Sequence, residues 1–356
     1  MLHKFMRKHD TTDIVMWLIG LGIFAAVIYG SYVTLFVTQK YEPSVWLDFT
    51  IFGLAQGSVY ALIALGYTLV YGILFMINFA HGEVFTGGVF TAYFLAIAMA
   101  DSGFIERHWI LALLILMAVA MTVSVLVAVI LERIAYRPLR GAPRLVPLIT
   151  AIGASFFLQY TYRGIYGSGV KTYPDFPALD GKLNLFGREW PILTTQALVI
   201  VVSAIMMVFL YWYVQKTKAG KAMRAVAEDK EAAALMGIDV DRVIVNTFAL
   251  GGAMAGVAGI LYALLFKQVN AFMGFIPGIK AFTAAVLGGI GNVPGAMLGG
   301  LFLGIVESLG PSLILDGLGI PAPYQLKDAI AFTLLVLVLI FRPTGILGER
   351  LSEKKA

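Results

Sequence analysis

The chain has 356 residues, of which 60% are hydrophobic and only 13% charged, and its mean hydropathy is +0.86. Soluble domains carry about 45–50% apolar and about 25% charged residues, so these few charges leave too much apolar surface for a water-soluble fold and far too much for a disordered chain. The net charge of +5 points to the Lys and Arg excess of cytoplasmic loops, with no nucleic-acid partner expected.

A helix needs about 20 apolar residues to cross a bilayer. Long apolar runs occupy 14–37, 49–72, 84–100, 109–131, 145–164, 194–214, 243–265, 295–315 and 326–341, with a shorter one at 279–290. The runs 84–100, 279–290 and 326–341 are short for a full span and read as tilted, extended or broken helices. The expected fold is therefore an all-α integral membrane protein, a polytopic helical bundle of about ten membrane segments. The first run is too long for a signal core and no A-x-A-like cleavage site follows it.

Counting 279–290 as a crossing places both termini in the cytoplasm. The segments 1–13, 73–83, 132–144, 215–242, 291–294 and 342–356 then face inward and hold 17 of the 26 Lys and Arg residues. Arg133, Arg137, Arg140 and Arg144 are the sharpest marker. Residues 165–193 face outward as a loop rich in Gly, Pro and Asp, suited to turns and open to a partner.

Several chemistries are missing. There is no cysteine, hence no disulfide, thiol catalysis or cysteine metal site. The four histidines show no metal-ligand spacing. No GxxxxGK[ST] phosphate loop occurs, and GGIGNVPG at 288–295 follows no strand. Catalytic motifs of intramembrane hydrolases are absent as well. No catalytic residue and no cofactor are expected on this chain.

Residues 221–236 are rich in strong helix formers. Arg224 and Glu228 stand at i,i+4 spacing, and Gly237 is placed for a left-handed carboxy cap. A cytoplasmic helix over 221–237 is predicted. It reads either as a solvated connector or as a docking helix for a cytoplasmic partner, with Ala232 and Ala233 permitting close approach.

Glu231-Ala232-Ala233-x-x-x-Gly237 resembles the first half of the coupling-loop signature of ABC importer permeases. The second half is not met, because Thr247 stands where an isoleucine belongs. Longer stretches extend the likeness: GSVYALIALGYTLVYGILFMINFAHGEVF at 57–85, LERIAYRPLRGAPRLVPLITAIGASFFLQ at 131–159, KAFTAAVLGGIGNVPGAMLGGLFLGIVE at 280–307 and LVLVLIFRPTGILG at 335–348. Together these are similar to the LivH-type permease of branched-chain amino acid ABC importers, with INFAHGE as the most specific piece. The resemblance covers about 45–348, leaving 1–44 as a tail with an extra span and 349–356 as a cytoplasmic tail.

The resemblance implies several things. The chain would be a transport subunit, not an enzyme, in a bacterial inner membrane. It would pair with a LivM-type second permease, two cytoplasmic ATPases that bind ATP and Mg, and an external amino-acid-binding protein, all among membrane lipid. Branched-chain or other neutral amino acids are the usual cargo, and related members carry urea or amides. Glu231, Ala232, Ala233, Gly237 and Arg224 would couple to the ATPases. An ion- or proton-coupled carrier using His81, Glu83 and Glu307 is the competing reading.

Polar groups within spans are functional suspects. Asn78, His81 and Glu83 read equally as a capped cytoplasmic turn or as a broken helix lining the path. Glu307 reads as a buried acid satisfied by serine, backbone or water, or as a cargo contact. Lys280 reads as a snorkelling end residue, and Lys327 and Asp328 open the last span. Gly252-x-x-x-Gly256, Gly291-x-x-x-Gly295 and Gly295-x-x-x-Gly299 have helix-packing spacing, and Gly291 with Pro294 suggests a hinge.

Overall fold

A computed structural model of the chain describes residues 11–348 except 144, 186, 187 and 343, without the side chains of 11–14 and 184–189. Lys4, Arg7, Lys8, Arg144, Arg350, Lys354 and Lys355, which enter the charge argument for both termini, lie outside the described residues.

Among the described residues, nine helical segments are long and apolar enough to cross a membrane. α1 (Thr11–Tyr32) continues as a π-helical turn to Thr38. α2 (Pro43–Leu74) starts on Pro43, whose missing N–H costs nothing in a first turn. It stops at Phe75, which is left-handed and donates its N–H to the Tyr71 carbonyl. α3 (His81–Asp101), α4 (Trp109–Leu131), α5 (Leu145–Tyr166) and α6 (Thr194–Lys216) follow. Two short helices, α7 (Lys218–Glu228) and α8 (Lys230–Leu235), precede α9 (Val240–Phe266), which Asp239 caps through the Arg242 N–H. α10 (Phe275–Gly288) is short, α11 (Val293–Gly310) is capped by Asn292, and α12 (Lys327–Phe341) ends the bundle.

α2 is buried all round from Ala55 to Val70, and α9 nearly so. Helices apolar on every face belong in a core or in lipid. Here α2 and α9 are the core, while α1 and α12 lie at the periphery with exposed apolar faces. Small residues allow the central contacts. A Cβ on Gly252 would strike Ser124 and Ala128 of α4, and one on Gly256 would strike Ala120 and Met121. Gly295 and Gly299 lie against Gly288 and Ala284 of α10. Gly291 departs from expectation: its Cβ would meet nothing, and it forms a turn at φ +95°.

A second close seam lies outside the three predicted glycine pairs. Gly53 and Gly57 of α2 press their backbones against Gly300 and Gly304 of α11. Gly304→Leu is expected to force these backbones apart at a cost of about 1–3 kcal/mol, visible as a lower melting temperature of the detergent-purified protein.

The short α10 is explained by its approach. Fourteen residues rise only about 21 Å, less than the roughly 30 Å hydrocarbon core. The rest of the crossing is non-helical chain from Asn270 to Gly274. α3 is built the same way, because 75–80 run back into the protein before His81 starts the helix. The amino ends of α3 and α10 meet: a Cβ on Gly82 would collide with Gly274, and one on Gly278 would touch Gly82.

Two ends can be told apart. Arg137, Arg140 and Asp241 gather at one, the basic end, together with α7 and α8. Residues 345–348 clip onto the α10–α11 turn there, with Ile346 and Leu347 donating their N–H groups to the Leu287 and Gly288 carbonyls at 2.8 and 3.0 Å. At the opposite end Lys40 pairs with Asp316 at 3.0 Å and Lys267 with Asp175 at 2.8 Å. The expected loop 165–193 is also there, but it is more structured than its turn-rich sequence suggests. β1 (Lys171–Thr172) pairs with β4 (Gln268–Val269), and β2 (Lys182–Leu185) with β3 (Arg188–Leu193), both antiparallel. Tyr173, Phe176 and Leu179 anchor it because they are fully buried.

Candidate functional site

At the basic end the predicted single helix over 221–237 is two helices. Asp229 has extended backbone, and its carboxylate accepts the Glu231 and Ala232 N–H groups at 2.9 and 3.0 Å. An aspartate that caps so well starts a new helix instead of continuing an old one. Gly237 adopts φ +83°, as its place after the last turn requires.

The four remaining coupling candidates do not act alike. Glu231 and Ala232 are exposed, but Ala233 is buried against the protein. Arg224 donates to the Val214 carbonyl and, at 3.2 Å, to Gln215 Oε1, so it ties α7 to the end of α6. Half-burial of Lys230, with the Arg140 guanidinium nearby, holds its ammonium below the usual lysine range. The outward knob is Leu235 and Met236, 89% and 83% exposed. Sequence reasoning passed over them because a Leu and a Met in a helix are ordinarily core residues. α8, which carries the knob, rests on α7 and α9, and α7 rests on α2, α6 and α9.

Asn78, His81 and Glu83 are all buried. They form no solvated turn. Tyr136 donates to Asn78 Oδ1 at 2.7 Å, which pins the break to the end of α4. The His81 imidazole fills the space beside Gly66, against the Tyr67 ring. Glu83 lies in the first turn of α3, where the positive helix end favours a carboxylate. It accepts from Gln159 at 2.8 Å and Ser155 at 3.3 Å, both on α5. The broken-helix geometry is therefore the one present, tied by polar bonds to α4 and α5. Gly66→Leu would drive into His81 and is expected to abolish transport while leaving α7 and α8 in place, which uptake and ATPase co-purification together would reveal.

Glu307 and Lys280 correct two expectations. Lys280 does not snorkel: its side chain is 4% exposed and lies 2.6 Å from Glu307 Oε1 and 2.6 Å from Asp328 Oδ1. Glu307 is thus satisfied by a lysine, not by serine or backbone, and Tyr60 Oη donates to the same oxygen at 3.4 Å. Gln56 Nε2 in turn donates to Tyr60 at 2.7 Å. Lys280 comes from α10, Glu307 from α11 and Asp328 from α12, so one buried cation joins three helices. Glu307 and Gln56 line a cavity of about 690 Å³ whose wall also includes Lys182, Pro191, Ile192 and Leu193 of the β2–β3 hairpin.

Pro294 stands within the first turn of α11 and does not break it. Asn292 caps that helix through the Gly295 N–H at 3.0 Å and donates to the Leu347 carbonyl at 2.9 Å. The turn proposed as a hinge is thus held by the 345–348 clip.

These features make a polytopic helical bundle with bare apolar side chains on short helices at one end and a cavity at the other. The family model for the branched-chain amino acid transport system permease component matches residues 49–339. The high-affinity branched-chain amino acid transport system permease protein BraD of Pseudomonas aeruginosa is 45% identical over 306 residues, 85% of this chain and 95% of the relative. The corresponding LivH of Escherichia coli K12 is 42% identical over 316 residues, with the same coverage. A probable LivH of Methanocaldococcus jannaschii is 29% identical over 81% of this chain and 88% of the relative. α1 precedes the matched region. The chain belongs to the family of branched-chain amino acid transport system permease components.

Proposed function

We propose that this chain is one of two permeases in an ATP-driven importer of branched-chain amino acids in the bacterial inner membrane. Family membership makes it a multi-pass transport subunit whose system includes ATPase and binding-protein partners. The basic end is cytoplasmic, in keeping with the positive-inside rule, and the β2–β3 hairpin faces the binding protein. A LivM-type chain is the second permease. ATP and Mg reside on the ATPases.

The observation that carries this reading is the exposed Leu235–Met236 knob on helices seated against α2, α6 and α9. Two large apolar side chains this bare imply a protein partner. ATPase closure pulls α7 and α8, and the three supported spans move with them. The cavity then changes from outward-open to closed, while the glycine seam between α2 and α11 lets packed helices slide. The test is uptake of L-leucine into proteoliposomes holding the complete importer. ATP-dependent accumulation is expected. Accumulation of urea or an amide in place of leucine would reassign the cargo within the family.

A smaller prediction concerns the turn before α11. Because Pro294 lies where proline is tolerated, Pro294→Ala is expected to change leucine uptake by less than twofold. Asn292→Ala removes both the cap and the clip and is expected to reduce uptake several-fold in the same assay.

A further inference from the structure

We propose that the 690 Å³ cavity holds the cargo as a zwitterion, with Glu307 receiving its ammonium group and Lys327 and Lys182 its carboxylate. The inference rests on the permease reading above and names the polar contacts of that path.

Charge is the first argument. Lys280 faces both the buried Glu307 and the 42% exposed Asp328, so the group of three carries one negative charge in excess. Glu307 Oε2 is buried and has no hydrogen-bond partner among the described residues. An unsatisfied carboxylate oxygen this deep is costly, and Glu307 lines the cavity. Oε2 has no accessible surface where it stands, so an ammonium group entering the cavity meets it on rotation of the Glu307 side chain, and then supplies the missing donor and the missing positive charge. Gln56 stands beside it with Nε2 engaged by Tyr60, which leaves its carbonyl oxygen to accept a second ammonium N–H.

The lining as a whole is the second argument. Its charged residues are Asp48 and Glu307 against Lys182 and Lys327, two of each sign. Lys327 makes no ion pair with a described residue. A lining that carries both signs matches a molecule charged positively at one end and negatively at the other.

The third argument is the wall. Phe49, Phe52 and Ile192 offer apolar surface between the polar groups, suited to an aliphatic side chain. The volume lies within the usual 300–1,000 Å³ range of small-molecule sites.

The experiment uses the complete importer in proteoliposomes and measures initial rates of L-leucine uptake. Two variants separate a binding role from a merely structural one. Glu307→Gln removes the acceptor charge but leaves Lys280 paired with Asp328. The double variant Lys280→Gln, Glu307→Gln removes the pair as a unit and leaves the net charge of the cluster as it is in the wild type, one negative charge on Asp328. Both are expected to assemble in normal yield by size exclusion and to lose at least tenfold in uptake. If Glu307 merely balances Lys280, the double variant will transport within twofold of wild type, and the proposal fails. Wild-type rates in Glu307→Gln alone would overturn it equally. Should the single variant not assemble, the double variant decides. Absence of leucine uptake by the wild-type complex is a separate outcome that removes the permease reading itself.

Discussion

Replacing Leu235 and Met236 together by aspartate will strip the ATPase subunits from the permease. The chain itself will stay in the membrane, and uptake will fall by more than tenfold. These two side chains are almost fully bare, and burying each against a partner is worth about 1.5–3 kcal/mol. Their loss alone weakens the contact by two to four orders of magnitude, at about 1.4 kcal/mol per decade, before the cost of desolvating two carboxylates at the contact. Gly237→Val acts on the same surface by another route. At φ +83° a side chain costs about 1–2 kcal/mol, and the chain would relieve that strain by re-aiming the knob. Hydrolysis without transport is the expected phenotype. Co-purification of the ATPases with the double aspartate variant in wild-type amount would place the dock elsewhere.

Lys280→Met will destabilise the protein far more than its size suggests. It leaves Glu307, 1% exposed at its side chain, without its cation, whereas Asp328 at 42% keeps access to its surroundings. Removing one partner of a buried ion pair costs about 3–5 kcal/mol. Three helices also lose their common tether. The expected signs are a sharp drop in melting temperature in detergent and low membrane levels. Lys280→Gln combined with Glu307→Gln should recover most of that stability, because the buried Glu307 charge is gone and the charge that remains, on Asp328, is 42% exposed. A single lysine variant as stable as wild type would mean that the pair contributes little to the fold.

The sequence disclosed the bundle because apolar runs long enough to cross a membrane can be counted without knowing any contact. It also disclosed the left-handed Gly237 and the close approaches of Gly252 and Gly256, which follow from local backbone and spacing. The break at Asp229 was legible in principle, since an aspartate two and three residues before available N–H groups caps a helix; the surrounding alanines masked it. Long-range pairing was not legible. Nothing near Lys280 in the chain announces Glu307, 27 positions on, or Asp328, 48 positions on. An isolated lysine at the start of a short apolar run therefore reads as snorkelling. The polar break was equally ambiguous, because a solvated turn and a buried one use the same residues. Only the arrival of Tyr136, Ser155 and Gln159 from α4 and α5 separates them.

The most direct test of the central claim is a pull-down of the tagged chain from mild detergent, with mass identification of the retained proteins and reconstitution of what is recovered. The account predicts a second permease and P-loop ATPases in the eluate, and leucine uptake that needs ATP and the binding protein. Recovery of this chain alone, transporting without ATP and following an ion gradient, would contradict it and favour a self-sufficient carrier built around His81, Glu83 and Glu307.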